Sequence, residues 1–294
     1  MREEPDRLTL GEAAAEPNRL LLADALTTLG TLADGSVDLA YTDPPFATGL
    51  VRRAADAAGL VRSYDDRLED PAQYLAWLEP HLTALHRVLA PTGSLFVHLD
   101  HRMGAYARIA LDRIFGRAGF RNEIIWRYGL GGRAPANAFA RKHDVLLFYA
   151  RGPANTFHRL RGGLTPAMAA KYAHEDERGR YQRAHGRRYY LKGGKPFDSV
   201  WDIPSIAPTA AERAGYPTQK PLALLERVLL ATTDPGALVV DPFVGSGTTA
   251  VAAQRLARRF VAGDSSPEAI AVACARLERA AATRPAPDVL VLRP

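Results

Sequence analysis

The sequence predicts a doubly wound, mostly parallel α/β sheet with a separate module set into its middle. Three observations lead there. Short apolar runs alternate with helix-like segments at both ends of the 294-residue chain, a rhythm that makes parallel strands covered by helices on both faces. That rhythm stops between Arg151 and about Lys195, where Gly, Arg and Tyr dominate. The composition, 47% hydrophobic and 24% charged, is that of a chain able to bury one sizeable core.

The elements follow in order. Arg19–Ala23 reads as a first strand and Ala25–Leu32 as a helix. Val37–Thr42 is a short apolar strand that Asp-Pro-Pro must stop. Asp70-Pro71 opens a helix, with an N-cap residue and a proline at the first position. Its apolar face is Tyr74, Leu75, Leu78, Leu82, Leu85 and Leu89, at helical spacing. Pro80 inside it predicts a kink or a split, and Pro91 and Gly93 end it. Ser94–Leu99 is a buried strand, followed by a helix near Met103–Phe115 and strands at Asn122–Trp126 and Val145–Tyr149. Between those two strands, the glycines and proline of Gly129–Asn137 predict a mobile loop. Tyr64-Asp65-Asp66-Arg67 also reads as a loop. Regular order returns with a helix from Pro221, a strand at Leu238–Val240, a helix from Ser246, a strand at Phe260–Ala262 and a helix from Pro267.

Several classes are excluded or disfavoured. No apolar run approaches the roughly 20 residues that span a bilayer, so no membrane partner is expected. The acidic, polar N-terminus has no secretory h-region. A single cysteine, Cys274, rules out a disulfide framework and a multi-cysteine metal site, and on its apolar helix it reads as a small core residue. An intracellular, cytoplasmic protein is expected. His98-x-Asp100-His101 offers three polar side chains, but strand geometry sends neighbours to opposite faces. A structural or substrate-edge role is expected there, and no metal.

The charge is +6 overall, but residues 151–200 hold eleven Lys/Arg against four Asp/Glu, a balance of +7 that leaves −1 for the rest. Tyr172, Tyr181, Tyr189, Tyr190, Phe157 and Phe197 lie in the same stretch. Basic residues interleaved with aromatics suit phosphate and base contact.

Two motifs carry chemistry. In Ala237–Ala250 an apolar strand runs into Asp241, then a Gly245-x-Gly247 turn, then a helix. Glycine lets backbone approach a ligand closely, and a helix N-terminus receives a carboxylate or phosphate. No Lys follows Gly247, so this is not a phosphate loop of the ATPase kind. Asp264, twenty-three residues after Asp241, ends the next strand and suits a ribose diol. In Thr42-Asp43-Pro44-Pro45-Phe46, two prolines fix the backbone and remove two donors. What is left is a rigid set of acceptors, the Asp43 carboxylate and the Pro44 carbonyl, beside the flat face of Phe46. Such a site receives an amino group on a planar ring. Tyr216-Pro-Thr-Gln-Lys220-Pro221, just before a helix, is the third distinctive run.

Together these residues resemble the amino-directed DNA methyltransferases that use S-adenosylmethionine. The order of catalytic motif, recognition region and cofactor motif is that of the circularly permuted beta class. The resemblance covers about Leu20–Leu277 and implies a Rossmann-like methyltransferase sheet with an inserted target recognition region. It divides the chain into a catalytic half (1–127), a mobile loop and recognition insert (128–200) and a cofactor-binding half (201–294).

By this resemblance Asp43 and Pro44, held by Pro45, accept hydrogen bonds from the target amine, and Phe46 stacks on the base. Asp241, Pro242, Phe243, Gly245, Ser246, Gly247 and Thr248 make the cofactor motif. Of these, Asp241, Phe243, Gly245 and Gly247 line its methionine end. Asp264 holds the ribose with Ser265 nearby, Asp24 meets the adenine, and Lys220 lies near the carboxylate. Thr218 and Gln219 help Lys220 close the pocket. Arg133, Arg141, Lys171, Arg180, Arg183, Arg187, Arg188 and Lys192 are the expected DNA contacts. The implied reaction methylates the exocyclic amine of a flipped-out base in double-stranded DNA, adenine N6 on the strength of Asp before Pro-Pro. Cytosine N4, RNA methylation and an inactive DNA-binding homologue are the alternatives. A homodimer, a companion restriction endonuclease and a place at the bacterial or archaeal nucleoid are compatible with the resemblance.

Overall fold

The computed structural model describes residues 18–46, 50–55, 61–66, 70–129, 135–283 and 289–292. The elements are β1 (Asn18–Leu22), α1 (Ala25–Gly30), β2 (Val37–Thr42), β3 (Leu50–Ala55), β4 (Val61–Asp66), α2 (Pro71–Val88), β5 (Leu89–Leu99), α3 (Gly104–Phe115), β6 (Phe120–Arg127) and β7 (His143–Ala150). They continue with α4 (Pro166–Lys171), β8 (His174–Asp176), β9 (Gly179–Ala184), β10 (Arg187–Tyr190), β11 (Val200–Asp202), α5 (Leu222–Thr232), β12 (Leu238–Asp241), α6 (Thr248–Arg255), β13 (Arg259–Asp264), α7 (Pro267–Thr283) and β14 (Val289–Leu292).

Among the described residues, nine strands form one sheet in the order β11-β6-β7-β5-β2-β12-β13-β1-β14. Every pairing is parallel except those of β7, which runs antiparallel to both β5 and β6. The strands are apolar on both sides because both sides are covered. Leu20, Leu39, Phe96, Val239 and Phe260 face α5, α6 and α7, whereas Leu21, Ala40, Leu95, Val240 and Val261 face α1, α2 and α3. Fully burying each such Val, Leu or Phe side chain stabilises the fold by roughly 1.5–3 kcal/mol.

Pro80 does not split its helix: α2 is continuous from Pro71 to Val88. Pro80 and Ala76, whose carbonyl loses its helical donor, both lie on the exposed face, open to solvent. One turn on, the His81 Nδ1–H donates to the Trp77 carbonyl at 2.8 Å.

The middle of the chain differs from expectation in two ways. The 128–200 stretch is not one separate module, because β7 lies well inside the main sheet and Val200 opens its edge strand β11. The stretch between them holds α4 and a small antiparallel sheet ordered β10-β9-β8. Tyr64, Asp65 and Asp66 belong to β4, paired antiparallel with β3, instead of a loop, and Arg67 lies outside the described residues. Among the described residues no helix is long and apolar enough to cross a membrane.

Candidate active site

Four neighbouring parallel strands, β2, β12, β13 and β1, end at one edge of the sheet, each at or just before an acidic residue: Asp43, Asp241, Asp264 and Asp24. Between β12 and β2 the winding parts. The main-sheet strand that follows β12, β13, lies to one side, and the one that follows β2, β5, lies to the other. A crevice at the carboxyl ends of the strands opens at such a point in α/β sheets. Here it is a cavity of about 420 Å³ lined by Asp24, Asp43, Pro44, Pro45, Phe46, Thr218, Lys220, Asp241, Pro242, Phe243, Gly245, Ser246, Thr248, Asp264 and Ser265, among others. These residues, from both ends of the sequence, meet as the motifs predict.

Asp43 is half-buried just past β2, and the Lys220 ammonium donates to its Oδ2. The same ammonium stands 5.1 Å from the centre of the Phe46 ring. Lys220 therefore answers the catalytic motif directly, where the sequence suggests only a place near the cofactor carboxylate. Asp241 is buried, accepting from the Phe243 amide at 3.1 Å and from the Thr249 hydroxyl at 2.5 Å. Burial outweighs those bonds and pushes its carboxyl up to about 7. Asp264 accepts from the Gly245 and Ser266 amides, both at 2.9 Å, so it ties the glycine turn to the head of α7. Burial raises its carboxyl too, against those two bonds.

The turn itself needs its glycines. Gly245 has φ +50° and Gly247 φ +82°, the left-handed region that other residues rarely adopt. A Cβ on Gly247 would also stand 2.7 Å from the Cβ of Ala273. Gly247 thus packs away from the cavity onto α7 and does not line it, a correction to its expected place at the methionine end. Arg276 of α7 braces the turn from behind. Its Nη1 donates to the Ser246 carbonyl at 2.8 Å, to the Ser246 hydroxyl at 3.0 Å and to the Thr248 hydroxyl at 2.9 Å. Burial there brings the guanidinium down to about 10.

Other expected residues also take different places. Gln219 does not line the cavity: its Oε1 accepts from the Ala214 amide at 2.7 Å and its Nε2 donates to the Glu212 carbonyl at 2.6 Å, which fastens the loop that carries Lys220. Thr218 does line it, and holds φ +65°. The Asp24 carboxylate caps α1 by accepting from the Thr27 amide and hydroxyl, both at 2.8 Å, and these bonds keep it below the usual range. Phe243 packs against Trp77 at 5.8 Å and His81 at 5.6 Å between ring centres, making an aromatic wall beside Asp24. Sequence reading missed Trp77 and His81. Their four-residue spacing on an amphipathic helix was the available signal, but it reads as core.

The DNA candidates lie elsewhere. Lys171, Arg180, Arg183, Arg187, Arg188 and Lys192 are all exposed on the small module, and Arg141 is exposed ahead of β7. Arg188 is committed internally, 2.9 Å from the Asp176 carboxylate and stacked over Tyr181. Arg133 lies outside the described residues. The His98-x-Asp100-His101 run is divided: His98 turns into the core, while Asp100 pairs with Arg102. Among the described residues no three His, Cys, Asp or Glu side chains gather as a metal site.

The acidic strand ends, the glycine turn at the head of α6 and a cavity of this volume fit S-adenosylmethionine, an elongated cation with a ribose diol and a carboxylate. Comparison with known proteins agrees with the geometry. The chain is 27% identical over 264 residues to the DNA adenine methyltransferase YhdJ of Escherichia coli (strain K12), spanning 90% of this chain and 83% of that one. It is 30% identical over 271 residues to the type II methyltransferase M.BglII of Bacillus subtilis, spanning 87% and 68%. In fold it is similar to TTHA0409 of Thermus thermophilus, with a TM-score of 0.60 at 23% identity over 94% of this chain and 99% of that one. The cytosine-N4-specific PvuII DNA methyltransferase gives a TM-score of 0.62 at 19% identity, over 90% and 89%. A family model described as DNA methylase, of the N6/N4 methyltransferase type, matches residues 37–274, and the chain belongs to that family.

Proposed function

We propose that the protein moves a methyl group from S-adenosylmethionine to the N6 amino group of an adenine flipped out of duplex DNA. The observation that carries this reading is that Asp43 opens onto the same cavity as Asp241, Asp264 and the Gly245 turn. Adenine is favoured by Asp before Pro-Pro and by the adenine specificity named for YhdJ. The type II name of M.BglII supports a companion endonuclease.

S-adenosylmethionine supplies an electrophilic sulfonium methyl when bound, and Asp241, Gly245, Thr248 and Asp264 are the residues that would hold it. The protein supplies positioning and electrostatics. An exocyclic amine is a weak nucleophile because its lone pair is delocalised into the ring. Asp43 and the Pro44 carbonyl accept from its two N–H groups, which favours a pyramidal nitrogen with a localised pair. Pro44 and Pro45 keep those acceptors rigid, and Phe46 offers the base a flat apolar face. Residues 1–127 supply this catalytic segment and 201–294 the cofactor motif. The 128–200 stretch gives β7 to the sheet and its exposed arginines to DNA phosphates, offsetting the few kcal/mol that flipping costs.

The test is nucleoside mass spectrometry of unmethylated duplex DNA digested after incubation with protein and S-adenosylmethionine. N6-methyladenine is expected. N4-methylcytosine would keep the mechanism and correct the base, and neither product on several unrelated DNAs would overturn the reading.

A further inference from the structure

The main sheet holds a buried polar chain beside the catalytic segment, and the reaction as described makes no use of it. His98, near the end of β5, is fully buried. Its Nδ1 lies 2.7 Å from the Tyr41 hydroxyl and its Nε2 lies 3.2 Å from Asp144 Oδ2. The Tyr128 hydroxyl donates to the other oxygen of Asp144 at 2.9 Å. Burial pushes the Asp144 carboxyl up, but the hydrogen bond and charge of His98, with Lys220 and Tyr128, hold it below the usual range. Asp144 is therefore an acceptor only. The Nε2–H of His98 donates to it, and Nδ1 of the same ring pairs with the Tyr41 hydroxyl. The chain then runs from the Tyr41 hydroxyl through His98 to Asp144.

The ends of this chain are what give it meaning. Tyr41 lies two residues before Asp43 and lines the same cavity. The Phe46 ring leans on the imidazole at 5.8 Å between centres, and Trp126 meets it edge-on at 5.4 Å. Tyr128, one residue past β6, and Asp144 of β7 flank the stretch 129–142, and the Tyr128 amide joins those stems by donating to the Lys142 carbonyl at 3.0 Å. A buried polar chain is costly unless every member is partnered. A fully apolar core would serve stability as well, so its retention at this place asks for another reason.

Resting on the methyl-transfer reading above, we propose that His98 is a positioning residue for the reaction. Through Tyr41 and Asp144 it holds the Asp43–Phe46 segment in register with the β6–β7 stems. A displacement of about 1 Å in a reacting group costs on the order of 100-fold in rate, so loosening this tie lowers turnover without touching either ligand.

The test uses the full chain, S-adenosylmethionine and unmethylated duplex DNA. His98→Gln keeps a donor toward Asp144 but loses the ring nitrogen that pairs with Tyr41, and Tyr41→Phe removes the hydroxyl on the other side. Each is expected to lower kcat about 10- to 100-fold, with KM for DNA and the cofactor Kd within about threefold of the parent. The double variant should be no slower than the worse single one. Tyr128→Phe, at the far end, should lower kcat about 3- to 10-fold in the same manner. Unchanged kcat in Tyr41→Phe, or kcat and cofactor affinity falling together with the folded fraction, would overturn the proposal. Should His98→Gln fail to fold, Tyr41→Phe, which deletes one hydroxyl, decides the matter. Imidazole ¹⁵N NMR gives a readout independent of activity. An Nε2–H tautomer whose proton resonance moves in Asp144→Asn supports the chain, and an Nδ1–H tautomer overturns it. A parent protein that makes no methylated base would sink the functional reading instead, and the NMR result would still judge the chain.

Discussion

Lys220 and Asp43 lie 177 residues apart in sequence and meet as an ion pair at the mouth of β2. With its ammonium on the Asp43 carboxylate and over the Phe46 ring, Lys220 touches both groups assigned to the target base. The cation thus stands where an amine donor stacked on Phe46 would stand, and base entry has to share or displace it.

Asp43→Ala should lower turnover by about 1,000-fold, the scale of losing one preorganised electrostatic contact in a dry site. Cofactor affinity should change little. Calorimetry and single-turnover methylation together check this, and near-normal turnover would remove Asp43 from the mechanism. Lys220→Met leaves the Asp43 carboxylate partly buried without its counter-ion. The double variant should therefore melt higher than Lys220→Met alone, since removing both members of a pair costs less than stranding one.

The raised carboxyl of Asp241 makes stability and binding respond oppositely to pH. Its folded value is about 7 against an ordinary 3.8, so the folded state holds a proton that the unfolded chain releases at lower pH. This stabilises the fold below the unfolded value, and the contribution is lost as pH rises through the folded one. Without cofactor, Asp241→Asn should gain in Tm over the parent as pH rises from about 4 to about 7, and the gain should then level off. If the ionised form is the one that holds the cofactor, parental affinity rises about tenfold between pH 6 and pH 8, the ratio of ionised fractions for one group titrating near 7. Calorimetric titration across that range tests it, and a flat profile would place Asp241 outside the binding set.

Arg276 touches no ligand-facing space, yet its three bonds set the backbone around Ser246. Arg276→Met keeps the aliphatic stem and removes all three bonds. It should weaken cofactor binding about tenfold while Asp43 chemistry at saturating cofactor persists. Equal losses in kcat and affinity would mean the whole domain had loosened.

Arg187 and Arg188 are neighbours on β10 with different commitments. Arg187→Ala should weaken DNA binding across sequences and reduce the salt slope by about one. Arg188→Ala should also destabilise the small sheet, because Arg188 pairs with Asp176 and stacks on Tyr181. Filter binding at several salt concentrations, beside limited proteolysis of the module, separates the two effects.

Much of this site was legible in the sequence because its signals are local. Asp43-Pro44-Pro45-Phe46 and Asp241–Thr248 each pair a strand end with residues whose backbone limits are strict, and such limits survive without knowing the fold. The helix at Pro71 was readable for the same reason, from its cap and its period. What stayed hidden depends on distant neighbours. Trp77 and His81 read as core until β12 brings Phe243 against them. Gln219 reads as a pocket residue until its loop is seen to close on itself. The strand at Val145–Tyr149 was readable but its place was not: periodicity records burial and not which strand lies alongside, so β7 fell within the 128–200 stretch assigned to the insert. The Lys220–Asp43 pair and the His98 chain are tertiary juxtapositions with no local trace.

The interleaving of the sheet has a consequence for how the protein is made. Among the described strands β1 leaves the ribosome first, and both of its partners, β13 and β14, follow all the others. The Asn18 side chain waits for the Phe260 amide, 242 residues downstream. At about 5–20 residues per second that wait is on the order of ten to fifty seconds. Through it the edge of β2 destined for β12 stays open, and an open edge invites pairing with other chains. A nascent chain therefore carries Asp43 long before β12 and β13 complete the cavity around it.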